Sequence, residues 1–205
     1  MKYNPVLLKL HKLAGPLRCI VIPDASYQNN SGSSQRGLVI CLAEGRKTNQ
    51  TGTRGSVIEY ESHKINRTTL NVSVAELYSL MKGYGAGQWI RGLWADMSGE
   101  RTYLELRTDA LNLVTTARTT HPPEQRETIH MINMMRHEAQ QGSWDDFAHV
   151  PTKFCLADCF IEKDADNIYL LQAIQTGWLK QMDLYPLFRT TVRAAFSTYH
   201  DDVCF

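Results

Sequence analysis

In the first third of the chain the apolar residues fall in short continuous runs; after that they recur at helical spacing. Leu17 to Ser26 is rich in Ile and Val, and the unbroken stretch Cys19–Ile22 predicts a strand buried on both faces, with Asp24 near its far end. The cluster Asn29-Asn30-Ser31-Gly32-Ser33-Ser34 predicts a turn, and Gly37 to Glu44 a second strand, so the pair reads as an antiparallel hairpin. A Gly/Thr/Asn-rich stretch follows, then a third strand over Ser56 to Ser62. Ser73-Val74-Ala75-Glu76 has the form of a capping box, and Val74, Leu77, Leu80, Met81 and Tyr84 continue from it at steps of three and four along one helix face.

Gly83, Gly85 and Gly87 predict a break in that helix. A second helix resumes near Gln88 with Trp89, Ile90, Leu93, Trp94 and Met97 inward. Tyr103 to Asp109 reads as a fourth strand, with a connection before it long enough for a parallel crossover to the first. Pro123 and Gly142 bracket a helix over 124 to 141. Trp144 to Val150 is a fifth strand, Thr152 an N-cap with a helix from Lys153 onward, and the residues after Asn167 a helical tail. The expected fold is α/β: a mixed five-stranded sheet, three antiparallel strands followed by parallel crossovers, with helices on both faces. The expected division is an extension over 1–16, a domain over 17–165 and a helical extension over 166–205.

Composition sharpens this picture mainly by exclusion. The 205 residues are 43% hydrophobic and 21% charged, an ordinary globular balance that fits one domain with extensions. With 22 Lys and Arg against 21 Asp and Glu, no global basic field draws the chain to a polyanion, so any such site is local. Charge is uneven along the chain, basic over 1–23 and acidic over 144–166. No apolar run approaches a bilayer span and no secretory pattern opens the sequence, so an intracellular place is expected, whether cytoplasmic, nuclear or organellar. Five cysteines without a framework fit reduced thiols. Cys155 and Cys159, with His149 nearby, lack the spacing of a zinc ribbon or finger. His121, His130 and His137 read as solvated or locally paired, and Met131, Met134 and Met135 as core filling.

Four carboxylates carry the chemistry. The expected topology brings Asp24, Glu76, Asp109 and Asp158 to one corner of the sheet, where they cannot all ionise without a compensating cation. Hard oxygen donors suit Mg²⁺ or Mn²⁺, and a pair of such ions serves phosphodiester hydrolysis. Each acid also has a plainer reading. Glu76 is half of a capping box, Asp24 and Asp109 end strands, and only Asp158, flanked by Leu156, Ala157, Cys159 and Phe160, stands where an unpaired charge is costly. Arg36, Lys47, Arg54, Lys64 and Arg67, with Ser26, Tyr27, Asn29, Asn30 and Tyr60, form either a rim that tracks phosphates or a solvated sheet edge.

Four blocks together resemble the ribonuclease H domain of copia-type long-terminal-repeat retrotransposon polyproteins. They are Asp24-Ala25-Ser26 followed by Ser34-Gln35-Arg36-Gly37; Ser73-Val74-Ala75-Glu76-Leu77-Tyr78; Leu106-Arg107-Thr108-Asp109; and Val150-Pro151-Thr152 with Leu156-Ala157-Asp158. The resemblance extends from about Leu17 to Phe160. It implies a ribonuclease H-like fold in which Asp24, Glu76, Asp109 and Asp158 bind two Mg²⁺ ions, or Mn²⁺, and cleave the RNA strand of an RNA–DNA hybrid. The implied partners are that hybrid and a reverse transcriptase domain or other subunit docking on the C-terminal tail, with no membrane. Three departures accompany it. His149 lies nine residues ahead of Asp158, in a predicted strand. Cys159-Phe160-Ile161-Glu162-Lys163 replaces the family's Leu-Thr-Lys-like ending. No separate basic handle stands between Gly83 and Gly99, where Lys82 and Arg91 are apart. The rival expectations are a catalytically inactive domain of the same fold, kept as a structural or nucleic-acid-binding subunit, and a DNA-directed, integrase-like nuclease.

Overall fold

The computed structural model describes residues 7–30, 33–45, 52–119, 126–161 and 167–180, with Asn29 and Asn30 described through their backbone alone. Three strands open it: β1 (Leu17–Asn30), β2 (Ser33–Glu44) and β3 (Gly52–Lys64). Then come α1 (Val72–Ser98), β4 (Tyr103–Thr108), α2 (Leu111–Arg118), α3 (Ile129–Gln140), β5 (Asp146–His149), α4 (Ile168–Thr176) and β6 (Trp178–Lys180). The sheet runs β5-β4-β1-β2-β3-β6. β1, β2 and β3 form an antiparallel meander, β4 pairs parallel to β1 and β5 parallel to β4, and β6 lies antiparallel on β3.

The apolar run of β1 feeds two cores because successive side chains leave a strand on opposite faces. Cys19 and Val21 pack with Leu77, Leu80 and Tyr84 of α1 and with the buried faces of α2 and α3. Ile20 and Ile22 pack on the other face with Val150, Cys155, Ala157 and the α4 residues Leu170, Ala173 and Ile174. Helices therefore cover both faces, as expected from the pattern. The sheet has six strands where five were expected, because Trp178–Lys180 adds a short edge strand within the segment read as a helical tail.

The expected break in the first helix is absent: α1 runs unbroken for 27 residues. Gly83 and Gly87, one turn apart, face the sheet. A Cβ on Gly87 would lie 2.5 Å from Val21 Cγ2 and 2.9 Å from Leu104 Cδ1, so the glycines set a close approach of helix to sheet. Each costs about 1 kcal/mol against alanine in a helix. Burying Leu77 and Leu80 returns about 1.5–3 kcal/mol apiece, so packing wins.

The capping box is also corrected. Asn71 caps the helix, its Oδ1 accepting the Val74 N–H at 3.0 Å, while Ser73 Oγ accepts from Asn112 Nδ2 and ties α1 to α2. Ile90 points inward and Trp94 packs partly against the core, but Trp89, Leu93 and Met97 are exposed, as is Met134 on α3. The helix expected over 124 to 141 is the shorter α3, preceded by a single 3-10 turn at Arg126–Thr128. α2 was not expected. Among the described residues no α-helix starts at Lys153; two 3-10 turns, Thr152–Phe154 and Asp158–Phe160, carry the chain onto the sheet.

A charge network lies inside the sheet. Arg18, 1% exposed, donates from Nη1 to both Glu105 carboxylate oxygens at 3.0 and 2.9 Å and from Nε to the Glu44 carbonyl. Arg107 donates to the same Glu105 at 2.8 Å and lies 3.8 Å from Asp146, beside which Arg118 also sits.

Candidate active site

The parallel pairing of β1 with β4 places two carboxylates level. Val21 pairs with Leu106, and three residues farther along each strand come Asp24 and Asp109. Asp24 is 2% exposed and its Oδ1 accepts the Ala25 N–H at 2.8 Å. Asp109 lies just past β4, half-buried, its Oδ2 accepting the Thr152 hydroxyl at 3.0 Å. Thr152 thus orients a carboxylate and caps no α-helix.

Glu76 enters from the second turn of α1, 7% exposed, close enough to Asp24 and Asp109 for their charges to be felt there. Ser79, one turn on, donates to the Asp24 carbonyl at 2.8 Å and holds β1 against the helix at that residue.

Burial and mutual repulsion govern this cluster. Desolvation, then the Asp109 charge, push the Asp24 carboxyl from 3.8 up to about 8, with a smaller contribution from Asp158. Desolvation, then the charges of Asp24 and Asp109, push Glu76 from 4.5 up to about 10. Buried carboxyls that feel one another's charge keep their protons, which a bound cation would displace.

Asp158 stands on the second 3-10 turn, close enough to Asp24 for its charge to be felt there. The turn lies on β2 at Gly37, the residue opposite Asp24 in the sheet. A Cβ on Gly37 would sit 2.6 Å from the Ala157 carbonyl oxygen and 3.2 Å from Phe160 Cβ, so a side chain there would lift the turn. Gln35 Nε2 and Ser62 Oγ donate to the Phe160 carbonyl, and Tyr60 stacks on the Phe160 ring at 5.6 Å. The ending Cys159-Phe160-Ile161 is therefore locked to the sheet by Phe160.

One residue of the centre was not expected there. Cys155, buried beside the carboxylates, lies with its Sγ 3.6 Å from Asp24 Oδ2. One ligand atom each from Asp24, Asp109 and Cys155 lie within 4.8 Å of one another. Burial and the neighbouring carboxylates push this thiol well above its ordinary value, so it stays protonated and donates to Asp24. Its place three residues ahead of Asp158 was the available signal. The donors that gather here, carboxylate oxygens of Asp24 and Asp109 with the Cys155 sulfur, could hold a divalent cation, while Asp158 and Glu76 lie near enough for their charges to be felt at Asp24 and at Cys155 respectively.

The candidate phosphate rim divides. Lys64 and Arg67 are exposed, Arg67 lying 5.5 Å above the Tyr78 ring. Arg36 is paired with Glu61 at 3.1 Å, which spends its charge within the sheet. Tyr27 donates to the Leu70 carbonyl, Tyr60 is taken up by Phe160, and Arg54 is exposed on β3. The Ser26 hydroxyl is buried without a hydrogen-bond partner. Lys47, His121, Pro123 and the side chains of Asn29 and Asn30 lie outside the described residues, as do residues 181–205 of the tail. His130 and His137 are exposed on α3.

No protein-family model and no curated protein matches the sequence. Solved structures do. LC11-RNase H1, isolated from compost by a metagenomic approach, is similar to this chain at 19% identity and a TM-score of 0.52, over 73% of this chain and 96% of that one. The same enzyme solved in complex with an RNA/DNA hybrid aligns at 18% identity with the same TM-score, over 73% of this chain and 97% of that one. RNase H1 from the halophilic archaeon Halobacterium salinarum NRC-1 aligns at 19% identity and a TM-score of 0.47, over 74% of this chain and 97% of that one. The likeness to LC11-RNase H1 gives the fold: this chain carries a ribonuclease H-like domain. Among the described residues no helix is long and apolar enough to cross a membrane.

Proposed function

We propose that the chain is an endoribonuclease that cleaves the RNA strand of RNA–DNA hybrids, with Asp24, Glu76, Asp109 and Asp158 as its metal-binding carboxylates. The single observation that carries this reading is the meeting of Asp24 and Asp109, level on adjacent parallel strands, with Glu76 near them in a corner where burial first and neighbouring carboxylates second push Asp24 and Glu76 up. A structural role would be served at lower cost by neutral residues. The fold likeness supports it, since one neighbour of that fold was solved with an RNA/DNA hybrid. The four sequence blocks support a kinship with copia-type retrotransposon domains, and with it a reverse transcriptase partner for the tail.

Two Mg²⁺ ions, when bound, would activate the attacking water and steady the leaving oxygen of the phosphodiester. The chain's own part is positional. Asp24 and Asp109 present carboxylates side by side from rigid parallel strands, and Glu76 closes the corner from the helix. Thr152 fixes the rotation of Asp109, and Ser79 fixes β1 at Asp24. Phe160 and Gly37 set the height of Asp158 above the sheet. Hybrid would be selected by the 2′-hydroxyls and groove shape of its RNA strand, with no reading of base sequence.

Two expected results follow from this arrangement. Gly37→Ala will cost about 1–3 kcal/mol of stability through overpacking. It will lower cleavage more steeply, by about 10²-fold, because lifting the turn misplaces Asp158; a melting curve and a turnover assay on the same sample separate the two effects. Lys64→Ala and Arg67→Ala will each weaken hybrid binding and flatten its salt dependence by about one phosphate contact, whereas Arg36→Ala will leave the slope unchanged. Titration of labelled hybrid at several salt concentrations reads this directly.

The substrate assignment is tested by offering end-labelled RNA–DNA hybrid, RNA duplex, DNA duplex and single strands in Mg²⁺ and in Mn²⁺. Shortening of the RNA strand of the hybrid alone is expected. Cleavage of DNA duplex would place the chain with DNA-directed nucleases. Binding of hybrid without cleavage by folded protein would favour an inactive subunit.

A further inference from the structure

A sulfur atom among oxygen donors changes which cations a centre prefers. Soft thiolate ligands select zinc-like ions, and Mg²⁺ demands oxygen in octahedral array. Cys155 Sγ lies 3.6 Å from Asp24 Oδ2, and ligand atoms of Asp24, Asp109 and Cys155 gather within 4.8 Å. Three protein donors with an open position is the arrangement Zn²⁺ accepts when a fourth ligand comes from solvent. The cluster is not sealed: Asp109 is half-buried and Thr152, which touches it, is exposed. The neighbouring thiol is differently engaged, Cys159 Sγ donating to the Leu156 carbonyl at 3.3 Å, and Cys19 and Cys41 are buried in the sheet cores.

We propose that Cys155, Asp24 and Asp109 form a mixed sulfur–oxygen site that captures a thiophilic divalent cation, Zn²⁺ by chemistry and Cd²⁺ as its probe, and that this capture inhibits the Mg²⁺-supported reaction. The inference rests on the reading of this corner as a metal centre. On capture a metal–sulfur bond forms, the S–H bond breaks and its proton passes to water, with no change of oxidation state. Asp24 and Asp109 then belong to the captured ion and are unavailable to Mg²⁺. Inhibition would be reversed by a chelator followed by Mg²⁺, since nothing is oxidised.

The test uses the full chain, titrated with Cd²⁺ while the ultraviolet thiolate-to-metal charge-transfer band is recorded, with Zn²⁺ as competitor. Wild type should give a saturable band that Zn²⁺ removes. Cys155→Ser and Cys155→Ala, each checked by its melting curve, should both lose that band, and Asp109→Asn should weaken it by at least about tenfold. The Zn²⁺ concentration that halves hybrid cleavage in Mg²⁺ should rise at least about tenfold in the Cys155 variant that folds. A band of undiminished size in both Cys155 variants, or no band in wild type, would overturn the proposal. Cleavage in Mg²⁺ without the band would sink this inference and leave the nuclease reading standing. A Cys155-dependent band in a chain that does not cleave hybrid would do the reverse.

Discussion

Asp109→Asn and Asp24→Asn will each lower hybrid cleavage by about two to three orders of magnitude or more, while the chelator-treated proteins melt no lower than wild type. The two halves of this result have one cause. In the absence of a cation the carboxylates repel one another and are poorly solvated, so removing one charge relieves the fold while it removes a metal ligand.

The pH dependence follows with a definite sign. Asp24 titrates near 3.8 when unfolded and is held up to about 8 in the native, metal-free protein; Glu76 goes from 4.5 to about 10. Between those limits the native state keeps protons that the unfolded state has released, so stability falls as pH rises. Below the unfolded values both states are protonated and the penalty vanishes. The melting temperature of Asp24→Asn minus that of wild type, measured in chelator, should therefore grow from pH 4 to pH 8. A constant difference would mean that Asp24 carries no raised affinity for a proton. Saturating Mg²⁺ should stabilise wild type more than the variant.

Glu105→Ala has the largest expected effect on stability. Glu105 is 4% exposed and accepts from both Arg18 and Arg107. Arg107 keeps Asp146 nearby, but Arg18, at 1% exposed, would lose the carboxylate that accepts from its Nη1. Leaving a buried guanidinium without its counter-charge costs about 3–5 kcal/mol, a large share of the roughly 5–15 kcal/mol that holds a domain together. At about 2–4 °C per kcal/mol for a chain of this size, the melting temperature should drop by about 6–20 °C. The double variant Arg18→Met with Glu105→Leu should recover most of it, because the pair's attraction mainly offsets its own desolvation. A loss under about 1 kcal/mol in Glu105→Ala would show that Arg18 finds water or another partner.

The meander and the crossovers were legible because β1 and β2 are apolar over lengths that only a sheet buried on both faces explains, and because Asp24 and Asp109 follow such runs. What escaped the sequence were features set by tertiary packing. Gly83 and Gly87 read locally as helix breakers, and only their contacts with Val21, Leu38 and Leu104 explain their place inside α1. α2 is short and carries Thr115 and Thr116, poor helix formers, so its apolar Leu113, Val114 and Ala117 did not stand out. The turn carrying Asp158 was read as a helix; its 3-10 geometry is imposed by Gly37 and by the bonds to the Phe160 carbonyl. β6 has three residues, too few for any periodicity. Of the centre, the carboxylates were visible as a set in order along the chain. Cys155 was weighed only with Cys159 and His149, because sequence spacing carries no information about a strand 131 residues away.

Whether this corner hydrolyses the phosphodiester is tested by single-turnover cleavage of RNA–DNA hybrid in Mg²⁺ by wild type and by Asp109→Asn, both shown to be folded and to bind the hybrid. RNA-strand cutting by wild type is expected, with its loss in the variant at undiminished binding. Equal cutting by both proteins would contradict this expectation, because the corner where β1, β4 and α1 meet would then not be where the phosphodiester is hydrolysed.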